Sequence, residues 1–198
     1  MITQPPPPSG LNRPVEAVNF NGVPVTGTVL IKQPGDKSFG PLTKPSQIRN
    51  GSIIDARHGR VRITIANGRG GFDTADFFEG IFRFDQPLVK LGQTAFADLF
   101  LVFGSFKGCP TAPRNPKLAS VAKSRHRSIR HLWGAGHGAF RTVGRFSSAT
   151  IRGTTWLTDD RCDGTLTKVT AGKIGVRDFV KRKTVIVKAH HSYFARPR

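Results

Sequence analysis

The sequence predicts an all-β fold: a sandwich or roll of short antiparallel strands, with little or no helix and one long basic loop. Three observations predict it. Segments rich in Val, Ile, Thr and Phe alternate with polar residues, the period of a strand with one wet face. Turn signals built on Gly, Pro, Asn and Asp recur roughly every ten residues, the spacing of a sandwich, roll or barrel. No segment combines a 3.6-residue apolar period with helix caps.

The elements follow in order. Residues 1–14 carry the run Pro5 to Pro8 and no periodicity, so they read as a flexible or polyproline lead-in to a single domain over 15–198. Val23 to Ile31 is β-branched and alternating, and Gln33-Pro34-Gly35-Asp36 turns it. Asn50-Gly51, a preferred hairpin dipeptide, precedes a strand over Ser52–Ala56. In Arg60–Ala66, Val61, Ile63 and Ile65 point one way and Arg60, Arg62 and Thr64 the other. Gly80–Phe84 alternates again, whereas Leu99–Phe103 is a continuous apolar run, suited to a strand buried on both faces, with a helix through Gln93 to Leu101 as the minor alternative. Residues 104–124 are rich in Gly, Pro, Ser and Lys and read as a long exposed loop. Further strands are expected at Gly138–Val143, Phe146–Arg152, Thr154–Thr158, Thr165–Thr170, Lys173–Arg177 and Thr184–Lys188. Gly153 marks a bend or bulge between two of them, and Asp163-Gly164 a hairpin turn.

Composition bounds the function. The 198 residues carry 31 Lys and Arg against 12 Asp and Glu, a formal charge of +19. Residues 1–110 hold 12 cations and 8 acids; residues 111–198 hold 19 and 4. The densest stretch, Arg114 to His131, contains Arg114, Lys117, Lys123, Arg125, Arg127 and Arg130 and no acid. Such a field attracts polyanions: nucleic acid, anionic lipid or an acidic cell-wall polymer. The candidate anion contacts are Arg125, Arg127, Arg130, Arg141, Arg145, Lys181, Arg182 and Lys183. No apolar run approaches the 18 or so residues of a membrane-spanning helix. The 15 Phe are too many for a disordered chain and belong mostly to a core.

Cys109 and Cys162 are the two cysteines, and each lies in turn chemistry. Two cysteines alone make no structural zinc site. They either pair or remain as two loop thiols; the expectation carried forward is a disulfide, and with it an oxidising compartment.

Several C-terminal motifs occur in a characteristic order: Thr142, Ser148 to Trp156, Thr165 to Val169, and Gly172 to Val176. Together with Gly27-Thr28-Val29, Gly51 to Ile54 and Gly59 to Ile63, this order resembles FecR-type domains, and the string from Arg130 to Gly134 through Asp160 to Thr167 resembles a version seen in long exported actinobacterial proteins. The likeness spans about residues 23–66 and 140–190, with about 67–135 departing from it as an insertion. It implies an extracytoplasmic β domain without enzymatic activity, part of a longer exported chain. The signalling role of the family's iron-citrate regulators is not carried over.

Catalytic and metal chemistry find no motif. Gly-x-Ser-x-Gly, the phosphate-binding loop and the dinucleotide fingerprint do not occur. His58, His126, His131, His137, His190 and His191 lack metal-ligand spacing, and Asp159, Asp160 and Asp163 lack the pattern of a calcium loop. No metal and no cofactor is therefore expected. A glycosidase would need only two distant carboxylates and stays as a remote reading. Aromatic–basic neighbours such as Phe140-Arg141 and Arg145-Phe146 should place the ring inward and the cation outward. The expectation is a non-catalytic binding or architectural module of the cell envelope or extracellular space, contacting an anionic polymer or another protein domain. The alternative is a cytosolic nucleic-acid-binding β module.

Overall fold

The computed structural model describes residues 10–90, 92–109 and 126–197. Among these residues there is no helix. The strands are β1 (Asn19–Lys32), β2 (Gly40–Pro41), β3 (Ser46–Arg49), β4 (Ile53–Ala66), β5 (Phe72–Phe78), β6 (Ile81–Asp85), β7 (Ala97–Leu101), β8 (Ser128–Gly136), β9 (Phe140–Val143), β10 (Ser147–Arg161), β11 (Gly164–Asp178), β12 (Lys183–Lys188) and β13 (Ser192–Ala195). The all-β expectation holds.

The strand path β10-β8-β5-β4-β6-β7-β9 returns to β10, because β9 pairs with Ser148–Thr150 while β8 pairs with residues 154–161. The sheet thus closes on itself. Two long strands make this possible. β4 has β6 beside its first half and β5 beside its second; β10 has β9 and β8 in the same positions. Outside the ring, β1 backs β4 and carries β3 and β2, and β11 backs β10 and carries β13 and β12. The pairings are antiparallel except β7–β9, which is parallel. That exception is sterically free, since the chain crosses through β8 between the two.

Four strands are 14 or 15 residues long, not short. Alternation breaks inside each of them, and that break hid their length. In β4 the buried positions run Ile54, Ala56 and then Val61, Ile63, Ile65. In β10 they run Ala149, Ile151 and then Trp156, Thr158, Asp160. The inward phase moves from even to odd in β4 and from odd to even in β10. Register shifts lie at these points, between Pro24 and Thr26, between Thr28 and Leu30, and on both sides of Thr155. A bulge adds one residue, so each half of a bent strand still faces the core. Glycine makes the bends possible. Gly27 has φ 65°, and a Cβ there would stand 2.2 Å from the His58 carbonyl oxygen. Gly172 has φ 73°, and its Cβ would stand 2.1 Å from the Gly153 carbonyl oxygen.

The core is aromatic. Phe77 stands 5.6 Å from Phe82, 5.5 Å from Phe140 and 6.1 Å from Trp156, ring centre to ring centre. All four are fully buried. Each contributes about 2–3 kcal/mol by burial. Trp156 lies over Gly134, where a Cβ would come within 2.3 Å of Cη2. Its Nε1–H donates to Thr142 Oγ1 at 3.0 Å, and Thr142 shares a 2.6 Å hydrogen bond with Thr158. The Thr and Trp of the C-terminal motif are therefore one buried polar contact.

The segment over residues 67–135 supplies β5, β6, β7 and most of β8, all in the ring. Two expectations in it change. Leu99 and Leu101 point inward, but Phe100 is half-buried on the outer face and Phe103 is exposed, so the apolar run has one buried face. The basic stretch Arg114 to His131 is not loop throughout, because Arg130 and His131 lie in β8, paired with Asp160 and Asp159 of β10. Cys109 and Cys162 are bonded, with Cα atoms 5.2 Å apart across 53 residues of sequence.

Candidate binding face

Register across the closed sheet assembles two rows of outward side chains. Arg83, Phe100, Val143, Ser148, Arg177 and Thr184 lie side by side on β6, β7, β9, β10, β11 and β12. The next row is Asp85, Asp98, Arg141, Thr150, Gly175 and Ile186. The middle positions, Ser148, Thr150 and Gly175, are small. The flanks are large: Phe100 and Val143 on one side, Phe179 and Ile186 on the other. A trough of about 660 Å³ results. Gly175 is its open floor, since a Cβ there would meet only Thr184 Cγ2 at 3.8 Å and Ile186 Cδ1 at 3.9 Å. Phe179 and Ile186 are 42% and 57% exposed, large values for apolar side chains in a packed sheet.

The electrostatics of this face are uneven. Arg141 is clamped by Asp98 through Nε–Oδ1 and Nη2–Oδ2 contacts, both 2.6 Å. Those hydrogen bonds and the carboxylate charge hold the guanidinium further above its ordinary value, against the opposing pull of burial. Arg177 is exposed and has no ion-pair partner among the described residues. One row further along β11, Lys173 stands directly opposite Lys188 of β12. Like charges at paired positions destabilise a sheet, so folding gains nothing from this placement.

The expected anion contacts separate into groups. Arg125 lies outside the described residues. Arg127, Arg130 and Arg145 gather near the disulfide. The Arg127 carbonyl accepts the Cys162 amide at 3.2 Å, and Arg130 Nε donates to Asp160 Oδ2 at 2.8 Å. The Arg145 amide donates to Asp160 Oδ1 at 2.8 Å. The Arg145 guanidinium lies 4.6 Å from the Phe106 ring centre, and that of Arg130 lies 5.4 Å from the same ring. Arg141 lines the trough. Lys181, Arg182 and Lys183 form the exposed turn into β12, with Lys181 Nζ 5.9 Å from the Tyr193 ring centre.

Sequence reasoning did not select Lys173, Arg177 and Lys188. Alternation in Lys173-Ile174-Gly175-Val176-Arg177, with Ile174 and Val176 inward, was the available signal. Acidic turn residues take protein donors. Asp160 is fully buried and accepts from Arg130, the Arg145 amide and Thr165 Oγ1 at 2.5 Å. Asp159 accepts from Ser128 and Arg161, both at 2.6 Å, and Asp163 lies 2.7 Å from His126 Nδ1.

Below the trough, Asp178 is buried and accepts from the Lys181 amide at 2.7 Å and the Tyr193 hydroxyl at 2.8 Å. Burial alone would raise this carboxyl, but the Lys181 amide, the Tyr193 hydroxyl and the Val180 amide together hold it below its ordinary value. Burial and the Asp178 charge push Tyr193 up to about 12. This triad fixes the turn that carries Lys181 and Arg182.

No protein-family model, curated protein or solved structure matches this chain.

Proposed function

We propose that this chain is a non-catalytic, exported β module that binds an anionic polymer of the cell envelope across the outer face of β10, β11 and β12. The observation that carries the reading is Arg177, a cation without an acidic partner among the described residues, set in a trough between Phe100 and Phe179. Lys173 and Lys188 extend the same field along the sheet. The disulfide supports an oxidising compartment, and the motif order of FecR-like domains agrees with export. A face of hydroxyls, one guanidinium without an acidic partner among the described residues and apolar flanks suits a carboxylate-bearing sugar chain, which presents both charge and a ring face.

Titration with a uronic-acid polymer over a range of salt tests the reading. Wild type should lose affinity steeply with salt. Arg177→Ala should weaken binding about fivefold, the equivalent of roughly 1 kcal/mol for one exposed charge. Gly175→Leu, which fills the floor, should weaken it with the charge intact. Equal binding by both variants would remove the trough from the function. Single-stranded DNA in the same titration covers the nucleic-acid alternative: tighter binding to DNA than to the acidic glycan would replace the envelope reading.

A further inference from the structure

The sheet has a free edge at β12, which borders the trough through Thr184 and Ile186, and its outward main-chain groups select an occupant of their own. In the β11–β12 ladder, Ala189 N donates to the Gly172 carbonyl at 2.8 Å. Hydrogen-bonded and non-hydrogen-bonded pairs alternate in an antiparallel ladder. Val185 and Val187 are therefore bonded inward to β11, and the amides and carbonyls of Thr184, Ile186 and Lys188 point outward. The β10–β11 ladder agrees, since Phe179 N donates to the Phe146 carbonyl at 3.0 Å. Among the described residues nothing pairs with this outer edge. It is six residues long, against two and four for β2 and β3, which occupy the matching places on β1. Ile186 stands at its centre, 57% exposed. Lys181, Arg182 and Lys183 lie at one end and Lys188 at the other, and no acid occurs from residue 179 to the C-terminus of the sequence.

We infer that the β12 edge receives an extended acidic segment of another protein as an added strand, with main-chain bonds at Thr184, Ile186 and Lys188. Main-chain pairing gives such a site affinity, and the flanking side chains give it choice. Lysines at an edge ordinarily guard it against unwanted pairing. Here they forbid one partner and favour another. Two copies of β12 paired with each other would gather their lysines on one ribbon without an acid, whereas a strand with Glu at each end and an apolar centre matches Lys183, Ile186 and Lys188 in order.

The probe is a synthetic Glu-Thr-Val-Thr-Val-Glu peptide, with a version carrying proline at its centre as control. Binding should slow amide hydrogen exchange at Thr184, Ile186 and Lys188. Ile186→Pro deletes the central outward amide and leaves the β11 ladder intact, as edge prolines do. It should weaken binding about tenfold. Lys183→Glu with Lys188→Glu should weaken it too. Arg177→Ala should leave it unchanged, which separates failure here from failure of the trough. Equal binding of the proline-containing peptide, or no protection at the three amides, would overturn the inference. So would self-association of wild type that Ile186→Pro abolishes, since the edge would then belong to a second copy.

Discussion

The β1/β4 pair and the β10/β11 hairpin hold matching places in the sheet and are charged differently. In each, a long bent strand joins both halves of the ring, a second long strand backs it, and shorter strands flank the pair. Around β4 the cations are matched. Arg62 forks onto Asp76 at 2.8 and 3.2 Å, Arg60 lies 3.7 Å from the same carboxylate and 4.1 Å from the Phe78 ring centre, and Arg57 holds Asp55 at 2.7 Å. Around β11 and β12 the acids sit inside, in Asp160 and Asp178, and the cations outside. One architecture thus carries two electrostatic treatments. The first closes its charges locally; the second leaves Arg177 exposed and without an ion-pair partner among the described residues.

The disulfide anchors the tip of the β10/β11 hairpin and has no counterpart on the β1/β4 pair, so it should give the largest difference. Replacing both cysteines by serine should cost about 4 kcal/mol in denaturant unfolding, from the entropy of a 53-residue closure. A loss below about 1 kcal/mol would show that the contacts of the ring already hold this loop.

Asp160 and Asp76 sharpen the comparison next. Asp160→Ala leaves Arg130 and Thr165 without their buried acceptor and should cost about 3 kcal/mol. Asp76→Ala breaks a pair whose Arg62 is half-exposed and should cost about 1 kcal/mol or less. Equal losses in chemical unfolding would erase the distinction between the halves.

The smallest effect lies in pH. Asp55 and Asp178 both have lowered pKa values, so both halves gain stability above the ordinary carboxylate range and lose it as pH falls through the lowered values. Only the C-terminal half adds an alkaline limb. Tyr193, the single tyrosine, is raised from 10.0 to about 12. Its contribution is complete below pH 10 and is lost as pH rises toward 12. Tyrosinate absorbance should therefore titrate higher in folded than in unfolded protein, and Tyr193→Phe should remove the alkaline loss. A midpoint near 10 in the folded chain would count against the buried hydrogen bond to Asp178.

What could be read from sequence followed from local periodicity. Val61, Ile63 and Ile65 announced their face, and all three are fully buried. Gly153 announced a bulge, and the register shifts beside it. Strand length was not legible, because a bulge reverses the phase of alternation and looks like the end of one strand and the start of another. The trough was illegible for a different reason. Phe100, Val143, Ser148 and Arg177 are neighbours only through register, and no spacing along the chain encodes that. Arg130 and Arg141 looked free for the same reason: Asp160 and Asp98, which hold them, lie 30 and 43 residues away in sequence.

The Cys109–Cys162 bond has a consequence for the integrity of the chain. The two sulfurs lie on opposite sides of the stretch that holds Arg114, Lys117, Lys123 and Arg125. A protease that severs the backbone anywhere between the two cysteines therefore produces two polypeptides but not two molecules. The cut protein keeps its mass until reductant is added, and residues 1–109 remain tethered to the β10–β11 tip. Cleavage within that basic segment therefore leaves the closed ring of strands in one covalent piece.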